Sequence, residues 1–465
     1  MLFANFLKTH QQQLQNDKQL LLLPRRQLVT YALYALIAVA LLYLFVDPAA
    51  PASSSAKPSP PVAAPWVQEE DELLPPSPLN LSSPRPYNYQ GDERSLTTTA
   101  PPPPPCDYSD GEWVPDPRPP PYDGAACEAI KDDGRSCAAN GRADTGYLHW
   151  RWQPRRCDLP DFSPAAFLRW LGDRHMAFVG DSLARNQAES LVCLLSAWSP
   201  PELVHRDPDG RFRRWVFREH NATVSIFWSP FLVRGVEKSE RAGVRYNELF
   251  LDAFDERWMS QLGAIDAAVL SAGQWFRIPS VYHDGGAVVG CYGCAAELNH
   301  TETSFFAVFR DVVGRTLAEI TRRRHEKGGG GGDKTPQLVA LATFSPSHFE
   351  GEWNKGAPCT KKRPYRKGEK ELGYTETEMR KIVVEAAAAA NAAAAASSTS
   401  TALRFAALDV TALADMRPDG HPGPYMRKNP FAAGEGRPVQ NDCLHWCMPG
   451  PVDTFNQILQ QTILR

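Results

Sequence analysis

The sequence predicts an α/β domain in which helices cover both faces of a mostly parallel sheet. Three observations carry that reading. Short apolar runs read as buried strands, helical patterns lie between them, and one strand runs into Gly-Asp-Ser directly before a helix. The 465 residues, 43% hydrophobic and 22% charged, suffice for a large core and exclude a wholly disordered or fibrous chain. A net charge of −3 provides no positive field, so no nucleic-acid partner is expected.

From the N-terminus, residues 1–26 carry Lys8, Lys18, Arg25 and Arg26 against Asp17 and read as a cytosolic tail. Residues 27–46 hold 20 residues without a charge, long enough to cross a bilayer as one helix. Glu69, Glu70, Asp71 and Glu72 follow on the far side. The positive-inside rule therefore predicts an uncleaved type II signal anchor, with the remainder of the chain across the membrane. A cleavable signal peptide is the competing reading, but the apolar stretch is longer than a signal needs and lies behind a polar segment. Residues 47–105 contain 16 prolines and predict an extended stem.

Residues 106–465 form the folded lumenal part. Expected strands are Met176–Val179, Val224–Trp228, Ala267–Leu270, Leu338–Phe344 and Leu403–Leu408. Expected helices are Leu183–Ala197, Phe305–Arg324, Thr375–Ala390 and one beginning at Asp453. Gly328–Gly332 reads as a flexible insertion, and Ala386–Ala396 as a helix extension running into a Ser/Thr linker. All ten cysteines lie beyond the stem, as disulfides in an oxidising lumen require. The sequons at Asn80, Asn221 and Asn299 agree with that side of the membrane.

The chemistry centres on Met176–Gln187. A serine at a strand-to-helix turn exposes its hydroxyl at the sheet edge, where the helix N-terminus faces a developing oxyanion. Gly180 permits the turn. Capping of the helix by Asp181 or Ser182 is an equally weighted reading of the segment by itself. A serine nucleophile needs a base and an orienting acid. Asp442 and His445, three apart on a Pro/Gly-rich loop before the last helix, supply both types; a purely structural histidine is the alternative.

A Gly-Asp-Ser serine early in the domain and an Asp-x-x-His pair near its end resemble the GDSL/SGNH hydrolase-like superfamily. More closely, the chain resembles the plant trichome birefringence-like polysaccharide O-acetyltransferases. That resemblance runs through Gly111–Val114, Asn140–Asp144, His149–Pro154, Cys157–Pro160, the Gly-Asp-Ser block and Asp442–Gly450. Phe227–Phe231, Ser271–Phe276 and Gly290–Cys294 look most like the xyloglucan branch. It implies an SGNH-like three-layer sandwich with family-specific insertions. It also implies a single-pass Golgi protein that transfers acetyl to a wall polysaccharide through an acetyl-serine. Catalytic roles then fall on Ser182, Asp442 and His445. Gly180, Asp181, Arg185, Gly273 and Gln274 are the oxyanion or turn candidates. For Arg185 a surface role weighs equally, and Gln274 stands where wider SGNH enzymes have Asn. No cofactor is bound in this scheme; an acetyl donor, acetyl-CoA or another lumenal one, is required. The expected partners are a polysaccharide acceptor, the Golgi membrane and other Golgi glycan-acetylation proteins.

The same resemblance implies the bridges Cys106–Cys157, Cys127–Cys193, Cys137–Cys447 and Cys359–Cys443. The leftover Cys291 and Cys294 are expected, separately, to form a small fifth loop. A zinc site built from Cys291, Cys294, Cys443, His445 and Cys447 is the disfavoured alternative, and no metal is expected. Trp446, Trp275 and Trp152 are candidate sugar-stacking residues, against ordinary core packing. Competing functions are acetylation of xylan or mannan, glycan deacetylation, and binding of wall glycan without catalysis.

Overall fold

The computed structural model describes residues 106–130, 134–239, 242–298, 300–327, 337–352, 356–396, 403–431 and 439–464. The expected tail, anchor (27–46) and stem, the sequons at Asn80 and Asn299 and the Gly328–Gly332 insertion lie outside these residues. Among the described residues no helix is long and apolar enough to cross a membrane.

In chain order the strands are β1 (Gly111–Pro115), β2 (Trp150–Pro154), β3 (His175–Gly180), β4 (Glu202–Arg206), β5 (Phe212–Phe217), β6 (Ala222–Trp228), β7 (Val233–Val236), β8 (Asn247–Phe254), β9 (Ala267–Ser271), β10 (Ser280–Asp284), β11 (Ala287–Tyr292), β12 (Leu338–Ala342) and β13 (Arg404–Leu408). The helices are α1 (Pro164–Leu171), α2 (Ser182–Ser196), α3 (Glu256–Met259), α4 (Phe305–Lys327), α5 (Tyr374–Ala396), α6 (Thr411–Asp415) and α7 (Pro451–Leu464).

Seven strands form the main sheet in the order β13-β12-β9-β3-β6-β5-β4. The first five are mutually parallel, and β5 and β4 add antiparallel at one edge. Alternation along β3 sends Met176 and Phe178 to one face, where α1, α2 and α7 cover them, and Ala177 and Val179 to the other, under α4 and α5. Each face buries its own apolar core, which makes the domain a three-layer sandwich. A four-stranded sheet, β11-β10-β8-β7, and the antiparallel β1–β2 pair were not anticipated from sequence.

One departure from ordinary helix patterning matters for the site. Asn186, Gln187, Glu189 and Ser190 of α2 are all buried. Buried polar groups need partners, and here the C-terminal segment provides most of them. Asn186 bonds the backbone of Trp446, Gln187 and Ser190 bond Asn456, and Ser190 also donates to Asp453 at 2.6 Å. Glu189 is held by Arg135 at 2.7 Å and by Arg213 at 2.5 Å. This polar seam fixes the helix that begins at Ser182 against the segment that carries Asp442 and His445.

Candidate active site

The turn after β3 is dictated by space. Gly180 has φ +152°, and a Cβ there would lie 1.7 Å from the Ser271 carbonyl oxygen. Glycine alone fits. The strand register sets Gly180 between Ser271 of β9 and Trp228 of β6, so Ser182 emerges at the carboxyl edge of three adjacent parallel strands.

Asp181 is the N-cap of α2 and accepts from the Leu183 N–H at 2.9 Å. It is buried, and burial pushes its carboxyl up to about 6, against the pull of the Leu183 N–H, His445, and the Gln274 and Ala184 N–H groups. The capping role therefore belongs to Asp181. Half-buried Ser182 occupies the first helical position, where its own N–H has no carbonyl four residues back to bond. Arg135 reaches the Ser182 carbonyl at 3.5 Å.

Asp442 Oδ2 lies 2.8 Å from His445 Nδ1, while Oδ1 accepts from the N–H groups of Leu444 and His445 at 3.0 and 2.9 Å. Burial works to raise the Asp442 carboxyl, but His445 and those two N–H groups outweigh it and hold the group well below the usual carboxylate range. An ionised Asp442 can only accept, so the His445 proton is assigned to Nδ1. Nε2 is then the basic nitrogen. It is buried, and among the described residues nothing hydrogen-bonds to it, Ser182 Oγ included. An available base nitrogen on a segment tied to the helix of a candidate nucleophile is an arrangement that acyl transfer can use, and such contacts often close only with substrate bound.

What brings the two halves together is Asn186, one helical turn beyond Ser182. Its Oδ1 accepts from the Trp446 N–H at 2.7 Å, and its Nδ2 donates to the Trp446 carbonyl at 3.2 Å. Sequence reading passed over Asn186, although the i, i+4 relation to Ser182 puts it on the same helix face. Two disulfides flank the loop: Cys137–Cys447, closing a separation of 310 residues, and Cys359–Cys443. Cys106–Cys157 and Cys127–Cys193 are also formed.

Other expected residues take different roles. Trp446 is fully buried, stacks on His421 at 4.2 Å and donates to Ser345 Oγ, so it packs the core and cannot meet a sugar. Trp152 is 3% exposed, sits edge-on to Trp113 and donates to the Tyr108 carbonyl, so it too is a core residue. Gln274 spends its side chain on the Ser345 carbonyl (2.7 Å) and on Arg277, which ties down the turn. Gly273, at φ +151°, begins that turn beneath Phe344 and Met379. The Arg185 guanidinium lies over the Trp228 ring at 5.9 Å.

Cys291 and Cys294 are both free thiols, contrary to the expected fifth bridge. Cys291 is fixed in β11, and Cys294 Sγ turns toward the Ser280 and Tyr292 carbonyls. Cys443 and Cys447 are consumed by disulfides, which removes two ligands from the zinc alternative. Asn221 is exposed, with its Nδ2 on Asp173.

Trp275 remains half-exposed and meets Trp228 edge-on at 5.8 Å. Trp228, also half-exposed and not anticipated as a site residue, ends the strand beside Gly180. The pair makes an aromatic rim one strand away from Ser182.

Comparison with known proteins identifies the family. Residues 159–462 match the model of the GDSL/SGNH-like acyl-esterase family found in Pmr5 and Cas1p, and residues 104–158 match the PMR5 N-terminal domain. The chain is 52% identical over 359 residues to xyloglucan O-acetyltransferase 2 of Populus trichocarpa, covering 77% of this chain and 82% of that protein. It is 46% identical to xyloglucan O-acetyltransferase 1 of Arabidopsis thaliana, covering 77% of this chain and 80% of that one. It is 37% identical to the protein trichome birefringence-like 26 of the same plant, covering 77% of both.

Proposed function

The chain belongs to the GDSL/SGNH-like acyl-esterase family, and from that premise we propose that it transfers acetyl groups to hydroxyls of xyloglucan through an acetyl-Ser182 intermediate. The observation that carries the proposal is the Asp442–His445 pair at 2.8 Å, joined through Asn186 to the helix that starts at Ser182. It stands in a chain about half identical to two proteins named xyloglucan O-acetyltransferases.

In the first half-reaction Ser182 Oγ attacks the donor's acetyl carbonyl while His445 Nε2 takes the hydroxyl proton. Asp442 stabilises the imidazolium that forms. The Ser182 N–H faces the oxygen that gains charge. Collapse expels the donor's leaving group, for acetyl-CoA a thiol, which takes the proton from His445. In the second half-reaction a sugar hydroxyl gives its proton to His445 Nε2 and attacks the acetyl-serine. Ser182 Oγ leaves and recovers that proton. The half-exposed Trp275 supplies an aromatic face on which the C–H faces of the glucan backbone stack.

The reading includes a Golgi-lumenal setting behind the expected type II anchor, with acetyl-CoA or another lumenal acetyl donor. Four disulfides, together with cysteines confined to the region beyond Pro105, support an oxidising compartment. The test is incubation with acetyl-CoA and xyloglucan, xylan or mannan oligosaccharides, followed by mass spectrometry. Acetyl gain on xyloglucan is expected. Gain on xylan or mannan alone overturns the acceptor, and acetyl loss from pre-acetylated glycans without any gain overturns the transferase.

A further inference from the structure

Behind the active-site loop lies a pair of buried histidines that the acyl-transfer scheme does not use. His348 is 8% exposed and His421 is 3% exposed. Their rings meet through His348 Nδ1 and His421 Nε2 at 2.7 Å. The outer nitrogens face backbone carbonyls: His348 Nε2 that of Asp415 at 2.8 Å, and His421 Nδ1 that of His445 at 2.7 Å.

The proton count follows from the partners. A carbonyl oxygen only accepts, so each outer nitrogen must carry a hydrogen. The inner contact needs one more, because two bare nitrogens at 2.7 Å would set lone pair against lone pair. Three contacts therefore require three protons, and two neutral imidazoles own two. Resting on the catalytic reading of His445, we propose that His348 and His421 share a third proton as a single buried cation, and that this cation is a positioning element holding the His445 backbone.

Among the neighbouring charges, Asp442 favours a positive charge on the pair, while Lys370 and His445 oppose it. Asp415 Oδ1 lies 3.9 Å from His348 Nε2, with Lys370 on the same oxygen at 2.6 Å. Asp442 and His445 stand on the loop side, and Arg142 donates to the His421 carbonyl. The neighbouring Arg417 and Asp419 neutralise each other at 2.9 Å. Trp446 stacks on His421 at 4.2 Å, and the Tyr365 ring is 6.4 Å from His348. Burial opposes the third proton, drawing His348 down to about 4 and His421 well below its ordinary value. The charge is therefore the link most readily lost as pH rises, and its loss frees one end of the anchor.

Selective 15N-histidine labelling of the full-length protein tests this. A scalar coupling across the N–H···N bond identifies the pair in the wild type without any substitution. Three protonated nitrogens among the pair's four are expected at the pH of activity; two protonated and two bare nitrogens overturn the proposal. A kinetic arm is independent of that readout. An amide NH2 at position 348 can donate both ways without charge. His348→Gln is therefore expected to stay within about tenfold of wild-type kcat and to lose the fall in kcat at high pH, whereas His348→Leu loses about 100-fold or more. A leucine variant with wild-type rate and pH profile overturns the positioning role. Should the protein acetylate nothing, the proton count still reads the pair while the functional reading fails separately.

Discussion

Asn186→Ala tests the link between the two halves of the site. Asn186 is fully buried and makes both of its bonds to one residue, the Trp446 N–H at 2.7 Å and the Trp446 carbonyl at 3.2 Å. Truncation leaves a donor and an acceptor buried without partners. Each costs about 1–3 kcal/mol, so the domain should lose on the order of 2–6 kcal/mol, read as a shift of the denaturant midpoint. The kinetic effect is separate. Trp446 adjoins His445, and a displacement of about 1 Å at the base costs roughly 100-fold in kcat. Asn186 has no route to substrate, so KM for xyloglucan oligosaccharides should move by less than about threefold. Asn186→Asp keeps the acceptor for the Trp446 N–H but turns an acceptor toward the Trp446 carbonyl, and should lose activity as well. An Asn186→Ala enzyme that folds and retains wild-type kcat would refute the idea that this side chain sets the Ser182–His445 geometry.

Other outcomes follow from the same structure. Asp442→Asn should lower kcat by about 10³–10⁴-fold with the fold retained, because an amide oxygen still accepts from the Leu444 and His445 N–H groups while Nδ1 loses its anionic partner. Trp275→Ala should raise KM for the oligosaccharide about tenfold with kcat nearly constant, through loss of about 1–1.5 kcal/mol of aromatic contact. Removing the Cys137–Cys447 bridge by paired serine substitution should cost on the order of 5 kcal/mol in a chain-entropy view, given its 310-residue separation, and is checked by chemical denaturation. Half-buried Asp453 sits between Tyr122, Ser190 and the Gly450 N–H, and desolvation raises its carboxyl to about 6. Between about pH 4 and 6 the folded state then binds more protons than the unfolded chain, so this group's contribution falls as pH rises through that window, by about 3 kcal/mol in all. The stability of wild type relative to Asp453→Asn should decline from pH 4.5 to pH 7; an unchanged difference contradicts the assignment.

The parts legible in sequence are those that bury both faces. β3, β9 and β12 are nearly continuous buried runs, as the centre of a parallel sheet demands. β4, Glu-Leu-Val-His-Arg, is exposed along its whole length and left no apolar run to find. The nucleophile turn and the Asp-x-x-His loop were legible because their chemistry is local. Trp446 and Trp152 were not. Trp446 adjoins His445 in sequence, yet successive side chains diverge, and only the packing against His421 and Ser345 shows where this one goes. Asn186, His348 and His421 share a similar obscurity. Each works through a backbone group or ring that is remote in sequence, and no local pattern marks such a partnership.

The most direct test of the central claim is to trap the acyl-enzyme. The protein is mixed with acetyl-CoA without acceptor, quenched in acid and digested, and the peptide carrying Ser182 is weighed. One acetyl group on Ser182 is expected, discharged when xyloglucan oligosaccharide is added before the quench and absent from the His445→Ala enzyme. Acetyl transfer to xyloglucan that persists in Ser182→Ala, or an acetyl group found on a different side chain and discharged at the catalytic rate, would contradict the account.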